Sequence, residues 1–260
     1  MNAVRCVRGL RIVMLGALIS ACSSDKSVAP TPREPATLSQ VLSEMALPSF
    51  AEMSVGLPNV PSQALATPIP SNCSYAAASS AFVCATVTVT GLTITQSYTL
   101  LDASGRPQSA FDPATTASVH LLNSVTGTFT SEGNNLTIDA SQDLTLSGLL
   151  GDSHILNGTN TVKLNGTSTI ASTVTPVSTN ATLTIANLVV PKSTAGASAY
   201  PTSGTLTSDA TTKIGSAVAL TTHVQVTFNG TSKVPVTVTI GGFTTHCTVD
   251  LSNTTAAACA

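Results

Sequence analysis

The chain reads as an all-β protein: an antiparallel meander of about nine to eleven strands forming a curved sheet, a sandwich or an open barrel. Three observations predict this. Forty-two of the 260 residues are threonine, and Thr and Val stand where a helical bundle would use Glu and Lys. From Phe82 onward, apolar residues recur at every second position. Gly-Asn, Gly-Thr-Ser and Gly-Gly interrupt those runs where tight reversals are needed.

Composition narrows the function classes. Only 8% of residues are charged, 3% are aromatic and Trp is absent, against about 25% charged in ordinary soluble domains. Lys and Arg number 10 against 12 Asp and Glu, so there is no basic surplus to hold nucleic acid. Abundant Val, Leu and Ile argue against a disordered chain.

The first element is a leader. Arg5, Arg8 and Arg11 flank the apolar stretch from Ile12 to Ile19. Eight residues are too few to span a bilayer core, which takes roughly 20. Residues 1–21 therefore read as a signal peptide, and the lack of an Arg-Arg pair favours the general secretion route. The stretch ends in Ile19-Ser20-Ala21-Cys22, which resembles the lipobox of bacterial lipoproteins. The resemblance implies that Cys22 is lipidated on its thiol and becomes the new N-terminus. It also implies a cell-envelope location, with Ser23 and Ser24 rather than Asp after the Cys pointing to the outer membrane. A diacylglycerol plus an N-acyl chain, at ~0.8 kcal/mol per buried CH₂, holds a protein stably on a bilayer. Without Arg5, Arg8 and Arg11 the mature chain is acidic.

Residues 22–70 read as a tether. Pro30, Pro32 and Pro35 lie in a polar run from Ser23 to Ala36, giving roughly 40 Å of extended reach. Thr37 to Ala46 allows one short helix, capped by Thr37 or Ser39, whose face of Leu38, Val41, Leu42 and Met45 suits packing. Pro48, Pro58, Pro61, Pro68 and Pro70 keep the rest of the tether irregular.

Residues 71–260 read as a single β domain. Val119, Leu121, Val125 and Phe129 are odd-numbered, whereas Leu136, Ile138, Ala140, Leu144 and Leu146 are even-numbered. A two-residue turn at Gly133-Asn134 reconciles the two sets, pairing Phe129 with Ile138 and Leu121 with Leu146. Leu220, Val224, Val226 and Phe228 share parity with Val234, Val236, Val238 and Ile240, so Gly230-Thr231-Ser232 supplies an odd loop pairing Phe228 with Val234. Gly241-Gly242 then turns the chain into Phe243, Cys247, Val249 and Leu251. Pro235 donates no ladder bond and must point away from a partner or lie at an edge. Further strands are expected over Val83–Thr90, Leu92–Leu101, Val162–Val174, Leu183–Val190 and Gly204–Thr207.

Cys6 leaves with the leader and Cys22 carries lipid, so Cys73, Cys84, Cys247 and Cys259 remain. In an oxidising compartment an even number suggests disulfides. The pairing Cys73–Cys84 and Cys247–Cys259 is expected, since each pair brackets about ten residues able to form a local hairpin. The spacing does not suit a metal site.

Catalytic signals are weak. His120, His223 and His246 fall at outward strand positions, and His154 follows Gly151-Asp152-Ser153. That tripeptide resembles the start of one lipase and esterase family, whose Ser opens an α/β domain; here strands surround it. GxSxG, HExxH and phosphate-loop motifs are absent. Asp139, Asp143 and Asp152 lack the spacing of a calcium loop, and the Asn-Gly-Thr triplets at 157, 165 and 229 read as turns. The many Thr-x-Thr pairs resemble the ladders of ice-binding proteins, but their intervals are irregular.

No catalytic residue, metal ligand or cofactor is therefore expected. The reading is a non-enzymatic, lipid-anchored binding or structural module of the envelope, with a protein, polysaccharide or lipid partner. A half-open β-barrel carrier of lipids or lipoproteins is the alternative, and a divergent hydrolase using Ser153 a weaker one. Nine Phe and Tyr are too few for the aromatic girdles of an outer-membrane barrel.

Overall fold

The computed structural model describes residues 70–131, 133–170, 172–192, 200–252 and 257–259. The leader, Cys22, the tether and the helix expected over 37–46 lie outside the described residues. In chain order the strands are β1 (Cys73–Ala76), β2 (Ala81–Cys84), β3 (Val87–Val89), β4 (Leu92–Asp102), β5 (Pro107–Gln108), β6 (Thr116–Ser131) and β7 (Asn134–Ser147). They continue with β8 (Ser153–Ile170), β9 (Thr173–Pro191), β10 (Ser203–Ile214), β11 (Leu220–Thr227), β12 (Lys233–Ile240), β13 (Phe243–Asp250) and β14 (Ala257–Cys259).

These fourteen strands form one open antiparallel sheet in the order β1-β2-β4-β6-β7-β8-β9-β10-β11-β12-β13-β14, with β3 and β5 both paired to β4. The all-β meander is thus as the alternation predicts, and the open sheet is the form it takes. Nine strands have eight residues or more; the other five have two to four, too short to register as alternation. They account for the excess over the expected nine to eleven.

The hairpin of β6 and β7 pairs Phe129 with Leu136 and Leu121 with Leu144. This is two residues from the expected register. Ser131 opposes Asn134, so Gly133, at φ 77°, is the second connecting residue rather than the first. A two-residue slip leaves every side chain on its own face, which is why parity could not detect it. The C-terminal registers agree: Val226 opposes Val236, Val224 opposes Val238, and Ile240 opposes Phe243 across Gly241-Gly242. Pro235 pairs with Thr248 on β13 and lies one residue past the last β11–β12 pair. Phe243 shares the apolar face but stands at its end, 71% exposed.

Two expected strands are corrected. Val83–Thr90 is broken into β2 and β3, which both run along β4. Val162–Val174 crosses the reversal between β8 and β9, where Ile170 opposes Thr173. That turn uses Ser172 at φ 66°, with no glycine to mark it.

The Asn-Gly-Thr triplets at 157 and 165 are also not turns, because both lie inside β8. Gly158 and Gly166 take φ of 143° and 154° there, and a Cβ on either would sit 2.0 Å from a carbonyl oxygen of β7, Asp143 or Asn135. These positions admit only glycine because the neighbouring backbone occupies the side-chain space. The third triplet is a turn: Asn229 Oδ1 accepts from the Thr231 backbone N–H at 3.1 Å.

One face collects the core. Ile185, Leu188, Leu206, Val224, Val226, Phe228, Val234, Val236, Val238, Cys247 and Val249 pack as one buried cluster over β9 to β13, each large side chain contributing about 1.5–3 kcal/mol by leaving water. Both sheet ends are fastened. Cys73 is bonded to Cys84 across β1 and β2, and Cys247 to Cys259 across β13 and β14, each between directly opposed residues. The flank of β4 is covered in sections by β3, β2 and β5. Few charges guard these edges, and short stapled strands do so instead.

Replacing Gly158 by Val should lower the unfolding free energy by about 3 kcal/mol, measured by urea denaturation. Thr159→Ala, on the exposed side, should change it by less than about 0.5 kcal/mol. The double change Cys247→Ser/Cys259→Ser should cost about 3 kcal/mol and speed amide exchange along β13, read by hydrogen–deuterium exchange.

Candidate functional site

The face opposite the core is polar, and the registers assemble its side chains into rows. Ser141, Thr161, Thr182, Asp209, His223, Thr239 and Thr244 oppose one another in succession from β7 to β13. Asp139, Lys163, Asn180, Thr211 and Thr221 form the adjacent row. The Ser141 and Thr161 hydroxyls lie 2.7 Å apart, those of Thr239 and Thr244 2.8 Å apart, and His223 Nδ1 is 2.7 Å from Asp209 Oδ1. Between the rows the surface sinks into an open trough of about 530 Å³, lined by Thr161, Lys163, Thr182, Asp209, His223 and Thr239 among others. Threonine offers a hydroxyl donor and acceptor beside a methyl group, and Lys163 and Asp209 add one charged group of each sign to the lining of the trough. It lies on the polar face and is not the apolar cavity that carriage would use.

The other outward imidazoles are partnered as ordinary surface groups. His120 Nε2 is 2.7 Å from Asp143 Oδ1, and His246 Nδ1 is 3.3 Å from Thr237 Oγ1. No group of three His, Cys, Asp or Glu able to hold a metal occurs among the described residues.

His154 differs. It shares the inner face with Leu156, opposes Val190 and is 4% exposed. Its Nδ1 is enclosed without a hydrogen-bond partner among the described residues. Burial pushes its pKa below the ordinary 6.5, and the Lys192 ammonium adds to the shift. Lys192 itself donates to the Leu149 carbonyl at 2.8 Å. Nearby in sequence, Ser153 begins β8 opposite Pro191 and, by strand alternation, points away from the His154 side. A strand, not a helix, comes after the Gly151-Asp152-Ser153 segment, unlike the esterase pattern it resembles.

One constellation escaped sequence reasoning. Gln96 opposes Asn123, Asn123 opposes Gln142, and Gln142 opposes Asn160, across β4, β6, β7 and β8. All four amides stand on the apolar face and all are partly exposed. The row of Ile94, Val125, Ala140 and Val162 lies on one side, and Tyr98, Leu121 and Leu144 on the other. The second row continues through Phe82 to Tyr75, whose rings meet edge-to-face at 5.4 Å. Burial raises the Tyr98 phenol pKa. The Asn123 Oδ1 is enclosed and unpartnered, a position that costs about 1–3 kcal/mol. The signal was present in sequence as gaps in the apolar series, at Gln96, Asn123, Gln142 and Asn160, among other gaps filled by glycine.

Of the expected site residues, Cys73, Cys84, Cys247 and Cys259 form the expected disulfides, while Cys22 lies outside the described residues. With a folded-state pKa below 6.5, His154 stays neutral in the fold while the unfolded chain binds a proton. Stability should thus be full above about pH 6.5 and fall as pH drops below it. Replacing His154 with Leu should flatten that dependence in thermal melts between about pH 5 and 7.5. Neither a family model, nor a curated protein, nor a solved structure matches this chain.

Proposed function

We propose that this chain is a non-enzymatic binding module held on the bacterial envelope by lipid at Cys22. The observation that carries the reading is the polar face, where the registers of β7 to β13 bring hydroxyl, amide and imidazole groups, with Asp139, Asp209 and Lys163 among them, into continuous rows around a trough. Such a surface suits recognition of a polar partner, as an envelope polysaccharide or protein presents. Ile19-Ser20-Ala21-Cys22 supports the anchor, Ser23 and Ser24 support the outer membrane, and the Pro-rich tether supports a domain held off the bilayer.

A second reading, carriage of a lipid, is favoured by a separate observation. The sheet is unclosed, and on β4 to β8 its apolar face is only partly buried at Ile94, Leu121, Val125, Leu144 and Val162.

The anchor is tested in a bacterial host fed radiolabelled palmitate. Wild-type protein should take up label and sediment with membranes, and Cys22→Ala should lose both. Equal labelling and sedimentation of the two would retire the anchor.

A further inference from the structure

The row Gln96–Asn123–Gln142–Asn160 is unusual in placement and in its lack of partners. No hydrogen bond joins these four side chains to one another or to another described residue, and Asn123 Oδ1 is shut away from solvent. At about 4.8 Å between strands, the four amides span roughly 14 Å across the sheet. One misplaced amide could be incidental. Four in a single register, between a row of Ile94, Val125, Ala140 and Val162 and a row of Tyr98, Leu121 and Leu144, form a stripe of donors and acceptors between two apolar bands.

The ligand chemistry is set by the donors and acceptors that the stripe presents between its apolar flanks. An alkane would leave all four amides unpaired. A sugar chain would set hydroxyls against Ile94, Val125, Ala140 and Val162. An ion would meet no opposite charge on this face, since Asp139, Asp143 and Lys163 belong to the polar side. We propose that the amide row and its flanks bind a neutral amphiphile whose N–H or O–H groups lie between hydrocarbon chains, as in an amide-linked acyl lipid. The exposed parts of the four amides exchange hydrogen bonds with that group, and the apolar bands take the chains. The inference rests on the carriage reading and names its cargo.

The test uses full-length acylated protein in phosphatidylcholine vesicles containing either a diazirine-tagged ceramide or a diazirine-tagged fatty methyl ester. Ceramide should label peptides from β4 to β8. Asn123→Leu/Gln142→Leu should reduce that labelling on the order of fivefold, the loss of about one hydrogen bond, and leave ester labelling unchanged. Its melting temperature should match or exceed that of wild type, because an unpartnered acceptor is removed. Should the double variant not fold, Gln96→Leu at the end of the row should show the same selective loss. Equal labelling by both lipids, labelling outside β4 to β8, or ceramide labelling insensitive to these changes would overturn the proposal. Ester labelling on β4 to β8 without preference for ceramide would remove the amide site and leave carriage standing. No labelling of these strands by either lipid would remove both.

Discussion

Every feature of this molecule depends on the antiparallel ladder from β4 to β13, whose register shifts only near Leu101, Leu156 and Ser203. Between such shifts, in a ladder of period two, the pairing of a single residue fixes the face of every other residue in both strands. Repeated across nine long strands, that rule divides the domain into a face of Val, Leu and Ile and a face of Thr, Ser and Asn. The low charge of the chain lies on the second face, where hydroxyls and amides fill positions that Lys and Glu fill in most sheets. Gly158 and Gly166 serve the same ladder, letting β7 and β8 approach where any side chain would part them.

The alternation made much of this legible in the sequence. The Phe228–Val234 phase and the Gly241-Gly242 reversal were visible because each rested on parity or on glycine, and both disulfides because each pair of cysteines brackets a hairpin's length of chain. The hidden features obeyed neither signal. The β6–β7 slip preserved parity, the turn at Ser172 used no glycine, and the two glycines of β8 stood where no turn occurs. The amides at 96, 123, 142 and 160 were each visible alone. Their alignment was not, because it exists only after three registers are known to the residue.

The two faces also differ in how they satisfy themselves. On the polar side, pairs such as Asp209 with His223 and Ser141 with Thr161 answer one another across strands. On the apolar side, His154 Nδ1 and Asn123 Oδ1 do not find partners among the described residues. Folding alone would favour hydrocarbon at such positions, so the apolar face is where demands other than stability are most visible in this sheet.

Because spatial order in the sheet matches chain order, each long strand is held chiefly by the two beside it, and the domain behaves as a nearly one-dimensional array. Its stability is then approximately a sum of neighbour terms, and opening proceeds from the ends inward. The staples at β1 and β14 lie where such opening would begin. The longest pairing, between the 18 residues of β8 and the 19 of β9, lies at the centre and would be the last to separate. A meander of this kind can also gain or lose a hairpin without turning any remaining strand over, so its width is free to change while both faces persist.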